Sequence, residues 1–152
     1  VIDRFAEREY RKCSFHDQER WMTLADVFST VDKLKTPGGV SRTNSLTDTR
    51  TGDNYLFEHL SRASHSCLPN MKYALPESEG GQVVLSMLSD TPRGCPLTIS
   101  YISTDDLGRP RDERPQLLSD KFMFLCECER CESERYQSFA SGSSTTGYQS
   151  VR

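Results

Sequence analysis

The sequence has no apolar run near the roughly 18 residues that a membrane-spanning helix requires, which excludes a helical membrane span. A basic leader followed by a short apolar stretch is also missing, so nothing reads as a secretory signal. Basic charge is not in excess. Nineteen Lys and Arg stand against 22 Asp and Glu, for a net charge of −3. That balance argues against a nucleic-acid binder, which needs clustered cations, and leaves room for a basic peptide. No internal repeat is visible, so solenoids and other arrays fall away.

What remains, 152 residues with 35% hydrophobic and 27% charged content, is the composition of one soluble globular domain with looser segments. With no signal pattern in view, the six cysteines are expected in a reducing compartment, the nucleus or the cytoplasm. There, close cysteine spacing points to metal binding rather than disulfides. The first residue is Val1 rather than Met, as expected of a fragment or a shortened reading frame.

Residues Ile2–Leu34 read as helical. Trp21, Leu24, Phe28 and Val31 fall on one helix face, a stripe expected to bury area in a core, and Ser14 is a plausible cap for a second helix. Residues 35–55 are polar and open on Pro37-Gly38-Gly39, which predicts a connection with one ordered piece around Val40–Asn44. Met71–Ala74, Val83–Leu88 and Leu97–Ile102 are short β-type runs. The turn signals at Pro76–Gly81 and Ser89–Gly94 between them predict an antiparallel meander. Gln116–Lys121 suits a short helix. Ser138–Arg152 is rich in Ser, Gly and Thr, a composition expected to be disordered.

Cys126-Glu127-Cys128-Glu129-Arg130-Cys131 is C-x-C-x-x-C. Three thiolates this close cannot all pair in local disulfides, but they can converge on one zinc ion. A structural zinc site wants a fourth ligand from elsewhere. The candidates are Cys13, Cys67, Cys95 and the three histidines. Soft thiolate company makes Glu127 and Glu129 poor choices. Cys13 and Cys95, taken singly, are expected to be small buried apolar side chains.

Two further segments carry a resemblance. Ser64-His65-Ser66-Cys67-Leu68-Pro69-Asn70 resembles the N-H-S-C-x-P-N signature of SET-domain protein-lysine methyltransferases, and Leu97-Thr98-Ile99-Ser100-Tyr101 resembles the strand carrying their active-site tyrosine. Phe122-Met123-Phe124-Leu125 before the cysteines looks like the aromatic lead-in to their post-SET segment. The spacing is most similar to the SMYD branch and related fungal SET proteins. Gly39–Asn44 looks like the stretch that precedes the signature there.

The resemblance implies that Cys67 joins Cys126, Cys128 and Cys131 on a structural zinc. It implies S-adenosyl-L-methionine as methyl donor and a protein lysine, on a histone or another protein, as acceptor. Tyr101 would be the catalytic residue and Phe122 would line the lysine channel. Ser64, His65 and Phe124 would meet the cofactor, with Phe124 on the adenine. Two departures stand out. Ser64 replaces the family's Asn, and Phe122 stands where SMYD proteins commonly have Tyr, removing a hydroxyl from the channel. No Gly-rich cofactor loop precedes Leu34, so the chain is expected to carry the C-terminal half of such a domain, with one wall of the cofactor pocket.

The expected fold is therefore α+β. Residues 1–34 form a helical insert, 35–55 a connection, 56–121 the C-terminal SET part with its β-meander, 122–137 the zinc-bound post-SET segment and 138–152 a disordered tail. A non-catalytic, zinc-stabilised interaction module derived from such an enzyme is the alternative, favoured by Ser64, Phe122 and the missing half.

Overall fold

The computed structural model describes residues 2–75 and 82–142. The chain is a mixed α+β protein and divides into two compact units. The first comprises the residues up to Ser64 together with Asn70–Ile99, and the second comprises His65–Pro69 and the residues from Ser100 onward.

The first unit opens with helices α1 (Ile2–Lys12) and α2 (Phe15–Thr23). Ser14 caps α2 as its sequence position implies, its side chain accepting from the N–H of Asp17 at 3.1 Å. The helical reading of Ile2–Leu34 is corrected beyond Thr23. Leu24 is already extended, and its N–H closes on the Trp21 carbonyl. The Lys35 ammonium donates to the carbonyls of Met22 and Leu24 at 3.0 and 2.8 Å, a cation on the last carbonyls of a helix. The chain then turns at Asp26, whose carboxylate accepts from the N–H of Phe28. The apolar stripe is thus not one helix face: Leu24 is buried while Val31 is fully exposed. Trp21 packs edge-on against Tyr10, with ring centroids 5.7 Å apart.

The polar connection is more ordered than its Pro-Gly-Gly head implies. Helix α3 (Pro37–Asn44) begins at that head. Thr36 caps it, accepting from Gly39 N–H at 2.9 Å, and Pro37 occupies the first turn, where its missing N–H costs nothing. Gly39 is required by space. A Cβ there would lie 2.1 Å from Asp26 Oδ2. Helix α1 packs on α3, and Val40 is completely buried. Strands β1 (Leu46–Thr47) and β2 (Asn54–Tyr55) form a small hairpin. A 3-10 turn (Leu60–Arg62) leads to β3 (Ser64–His65).

Strands β4 (Met71–Ala74) and β5 (Val84–Met87) pair antiparallel, with Met71 opposite Met87. The first two runs of the expected meander therefore pair. The third does not continue the sheet: β6 (Thr98–Ile99) belongs to a different two-stranded sheet. Pro96 just before β6 has no N–H to add to a ladder. The Thr98 N–H goes instead to the side-chain carbonyl of Asn70 at 2.8 Å, and Asn70 Nδ2 donates to the Pro96 carbonyl at 2.9 Å. Asn70, the last residue of the signature, so ties the start of β4 to β6 with its side chain. The turn expected at Pro76–Gly81 lies outside the described residues.

The second unit holds α4 (Thr104–Leu107), α5 (Arg114–Phe122) and α6 (Glu129–Gly142). Helix α5 covers the short helix expected at Gln116–Lys121. Its C-cap is Met123, in the left-handed region at φ 59°, which turns the chain out of the helix. Helix α6 extends into the segment expected to be disordered, as far as Gly142. The remainder of that tail, residues 143–152, lies outside the described residues. The unit's core is built from Cys67, Leu118, Cys126 and Cys131, with Tyr101, Ile102, Leu107, Phe122, Phe124 and Cys128 packed against it.

Candidate functional site

The left-handed turn at Met123 sets the direction of the cysteine-bearing segment. Beyond it, side chains alternate: Phe124 and Cys128 are half-buried and Cys126 is buried, while Leu125, Glu127 and Glu129 face outward. The first turn of α6 then brings Cys131 inward, fully buried. Cys67 arrives from the loop after β3, which is stiffened by the Ser66 hydroxyl accepting from Leu68 N–H at 3.0 Å.

The sulfurs of Cys67, Cys126, Cys128 and Cys131 all lie within 4.8 Å of one another. Cys67 Sγ is 3.9 Å from Cys126 Sγ and 3.6 Å from Cys131 Sγ. A tetrahedral zinc ion with Zn–S bonds of about 2.3 Å requires sulfurs about 3.8 Å apart. Disulfide sulfurs sit at about 2.0 Å, so these are not bridges, and all four cysteines are free. The donor set fits zinc in number, softness and spacing.

Burial and neighbouring donors pull the thiols of Cys67, Cys126 and Cys128 in different directions. Burial pushes the Cys67 thiol up, and the crowding sulfur of Cys131 adds to it against the pull of Arg114. Burial raises the Cys126 thiol too. Cys128 goes the other way: burial would raise it, but the N–H groups of Cys131 and Cys67 outweigh burial and favour its thiolate. Four sulfurs this close must keep protons or share a cation.

The other second-unit residues singled out by resemblance gather beside the cluster. The Tyr101 ring centroid is 4.8 Å from that of Phe122, 5.4 Å from that of His65 and 6.3 Å from that of Phe124, the last edge-on. His65 and Phe124 rings are 6.0 Å apart. The His65 side chain is committed to structure. Its Nδ1 accepts from Tyr101 N–H at 3.0 Å, and its Nε2 lies 3.4 Å from Cys67 Sγ. Burial, with the charge of Arg114 behind it, pushes the imidazole down to about 4. It is neutral at physiological pH. Burial also raises the Tyr101 phenol, so that hydroxyl stays protonated. Ser64 is exposed and belongs to the first unit.

Of the remaining cysteines, Cys13 is half-buried, its thiol donating to the Glu9 carbonyl at 3.4 Å. Cys95 is exposed, a correction to the buried role expected of it. Neither joins the cluster. Three residues around the cluster carry no signal in the sequence: Arg114, Arg130 and Glu134. An arginine buried to 0% exposure in α5 looks in sequence like any charged helix residue. Arg130 inside the C-x-C-x-x-C motif and Glu134 just after it are ordinary charged residues of a helix start, too common to single out.

No family model matches the chain. Individual proteins do. The chain is similar to several proteins named as protein-lysine methyltransferases, the activity its motifs point to by resemblance, at about one third identity over roughly half its length. Among these relatives, the Danio rerio protein-lysine N-trimethyltransferase SMYD5 is 32% identical over 93 residues, 57% of this chain and 22% of the relative. The Saccharomyces cerevisiae potential protein lysine methyltransferase SET6 is 33% identical over 98 residues, 63% of this chain and 25% of the relative. The human histone-lysine N-methyltransferase SMYD3 is 32% identical over 79 residues, 52% and 17%. The chain thus spans a quarter or less of the curated relatives it matches.

Proposed function

We propose that this chain carries the zinc-closed C-terminal part of a SET-type protein-lysine methyltransferase, with a histone or another nuclear or cytoplasmic protein as substrate. The observation that carries the reading is the convergence of four cysteine sulfurs directly beside the Tyr101, Phe122, Phe124 and His65 rings. The relatives' names supply the reaction class.

Cys67, Cys126, Cys128 and Cys131 would hold a structural zinc. Through that ion these cysteines would tie the loop carrying His65 and Cys67 to the extended segment carrying Phe124, an architectural role. S-adenosyl-L-methionine, when bound, supplies an electrophilic methyl group on a sulfonium that leaves as a neutral thioether. In this reading Phe124 offers a ring face to the adenine, and His65 offers backbone only, because its side chain is already engaged. Tyr101, kept protonated by burial, orients a lysine amine by hydrogen bonding and takes no part as a base. Phe122 lines the lysine channel and excludes water without a hydroxyl of its own. Alignment of a neutral amine is the main requirement for such a displacement, and an apolar, desolvating channel favours the neutral form.

The alternative, a non-catalytic zinc-stabilised interaction module, draws on Ser64 and on the missing hydroxyl at Phe122. Titration of S-adenosyl-L-methionine by calorimetry, with radiolabelled methyl transfer to a lysine-bearing protein, separates the two. Binding and transfer are expected. A folded, zinc-loaded protein that takes up no cofactor would favour the interaction module instead.

A further inference from the structure

Arg114 has 0% exposure, which is rare for an arginine and requires partners. Its Nη1 donates to the Arg109 carbonyl at 2.7 Å. Its Nη2 reaches Glu134 Oε2 at 2.5 Å and Cys131 Sγ at 3.6 Å. Among the described residues the Nε has no hydrogen-bond partner, so the guanidinium is placed for the carboxylate and the sulfur rather than for full satisfaction of its donors. Glu134 is shared. Its other oxygen accepts from Arg130 Nε at 2.8 Å, and Arg130 Nη1 donates to the carbonyls of Cys67 and Leu107 at 3.2 and 2.8 Å. One carboxylate therefore fixes two arginines, one aimed at a cluster sulfur and the other at the backbone of a second cluster cysteine.

A zinc ion with four thiolates carries a net charge of two minus. Inside a core, such a dianion needs a nearby cation or donors to its sulfurs. Arg114 is a buried cation in contact with one of the four sulfurs.

We propose that Arg114 is a positioning residue for the cysteine cluster: held by Glu134, its guanidinium hydrogen-bonds and partly neutralises the Cys131 thiolate, and thereby sets how tightly the cluster holds zinc. The proposal rests on the zinc reading above. It adds that the helix α5 cation, and not the four ligands alone, determines metal retention. Arg130 completes the frame by holding the Cys67 loop in register with Glu134.

The test uses the whole chain loaded with zinc, or with cobalt(II) as a spectroscopic substitute. Zinc affinity is measured by competition with a chromophoric chelator, and the sulfur-to-cobalt charge-transfer band is recorded in wild type, Arg114→Met, Arg114→Lys and Glu134→Gln. Losing a cation from a sulfur raises the energy of its lone pair, so the band of Arg114→Met should move to longer wavelength. Its zinc affinity should fall roughly 10- to 100-fold, the range seen when groups behind a metal ligand are removed. Arg114→Lys should recover much of the band position, because it keeps the charge. Glu134→Gln, at a partly exposed position, should fall between. A purely structural arginine would alter stability but leave the cobalt band in place. Wild-type affinity and band position in Arg114→Met would overturn the proposal while leaving the zinc reading standing. If that variant does not fold, an unshifted band with wild-type affinity in Glu134→Gln does the same. A wild-type chain that binds neither metal removes the zinc reading itself.

Discussion

The imidazole of His65 stands between the backbone of Tyr101 and the sulfur of Cys67, accepting from Tyr101 N–H through Nδ1 at 3.0 Å and meeting Cys67 Sγ through Nε2 at 3.4 Å. With Nδ1 an acceptor, the proton of the neutral ring sits on Nε2 and points at sulfur. One side chain thus links the tyrosine proposed for catalysis to the cluster proposed for zinc.

Replacing His65 with Ala leaves the Tyr101 N–H without its partner. A part-buried orphaned donor costs roughly 1–3 kcal/mol, and denaturant titration of the zinc-loaded protein should show a loss of that order. His65→Asn, which retains an acceptor, should lose less. Equal midpoints for wild type and His65→Ala would mean that the hydrogen bond contributes nothing in solution.

The cysteines divide sharply in their expected effects. Purified protein should contain about one zinc per chain. Cys67→Ser and Cys128→Ser should both lower zinc content and thermal stability, whereas Cys13→Ser and Cys95→Ser should leave both intact. Elemental analysis of the five proteins is sufficient. Retention of full zinc by Cys67→Ser, with loss in either of the other two single positions, would assign the fourth ligand elsewhere.

Tyr101→Phe keeps the ring contacts with Phe122 and His65 and removes only the hydroxyl. If the proposed methyl transfer is carried out, its rate should fall steeply while cofactor affinity barely changes. Phe124→Ala should do the reverse, weakening cofactor binding through lost stacking. Thermal melts on both variants guard against simple unfolding. Undiminished transfer by folded Tyr101→Phe would remove that hydroxyl from the mechanism.

In the first unit, Gly39→Ala drives a methyl group into the Asp26 carboxylate, which also holds the N–H groups of Phe28 and Thr36 at 2.9 and 3.1 Å. A loss of roughly 1–3 kcal/mol is expected, as for other overpacked sites. The shorter side chain of Asp26→Ser should make the double variant less damaged than the sum of the two singles. Strict additivity in that cycle would show that the two residues do not meet.

The elements legible in the sequence are those whose signals are local. Ser14 capping α2 and the C-x-C-x-x-C triplet each lie within a few residues of their partners, and the β4–β5 pairing follows from two β-type runs with turn residues between them. The distant member of the cluster is not legible from spacing, because Cys13, Cys67, Cys95 and three histidines are equal candidates until the resemblance singles out Cys67. Helix α3 is hidden because Pro37-Gly38-Gly39 breaks helices in mid-run and yet suits a capped first turn. The Trp21 stripe misleads for the opposite reason. Its period continues past Thr23, but Asp26 turns the chain within the stripe itself and Lys35, further along, holds the last carbonyls of the helix. Arg114 is invisible because burial of a charge depends on Glu134 and Cys131, which approach it only after folding.

The pairing of Cys67 with Cys126, 59 positions later, also has a mechanical meaning. If metal joins these residues, a force applied to the chain ends bypasses everything between them. The 58 intervening residues, about 200 Å of extended chain at roughly 3.5 Å each, would stay out of the load path until a metal–sulfur bond ruptured, then lengthen the molecule in a single step.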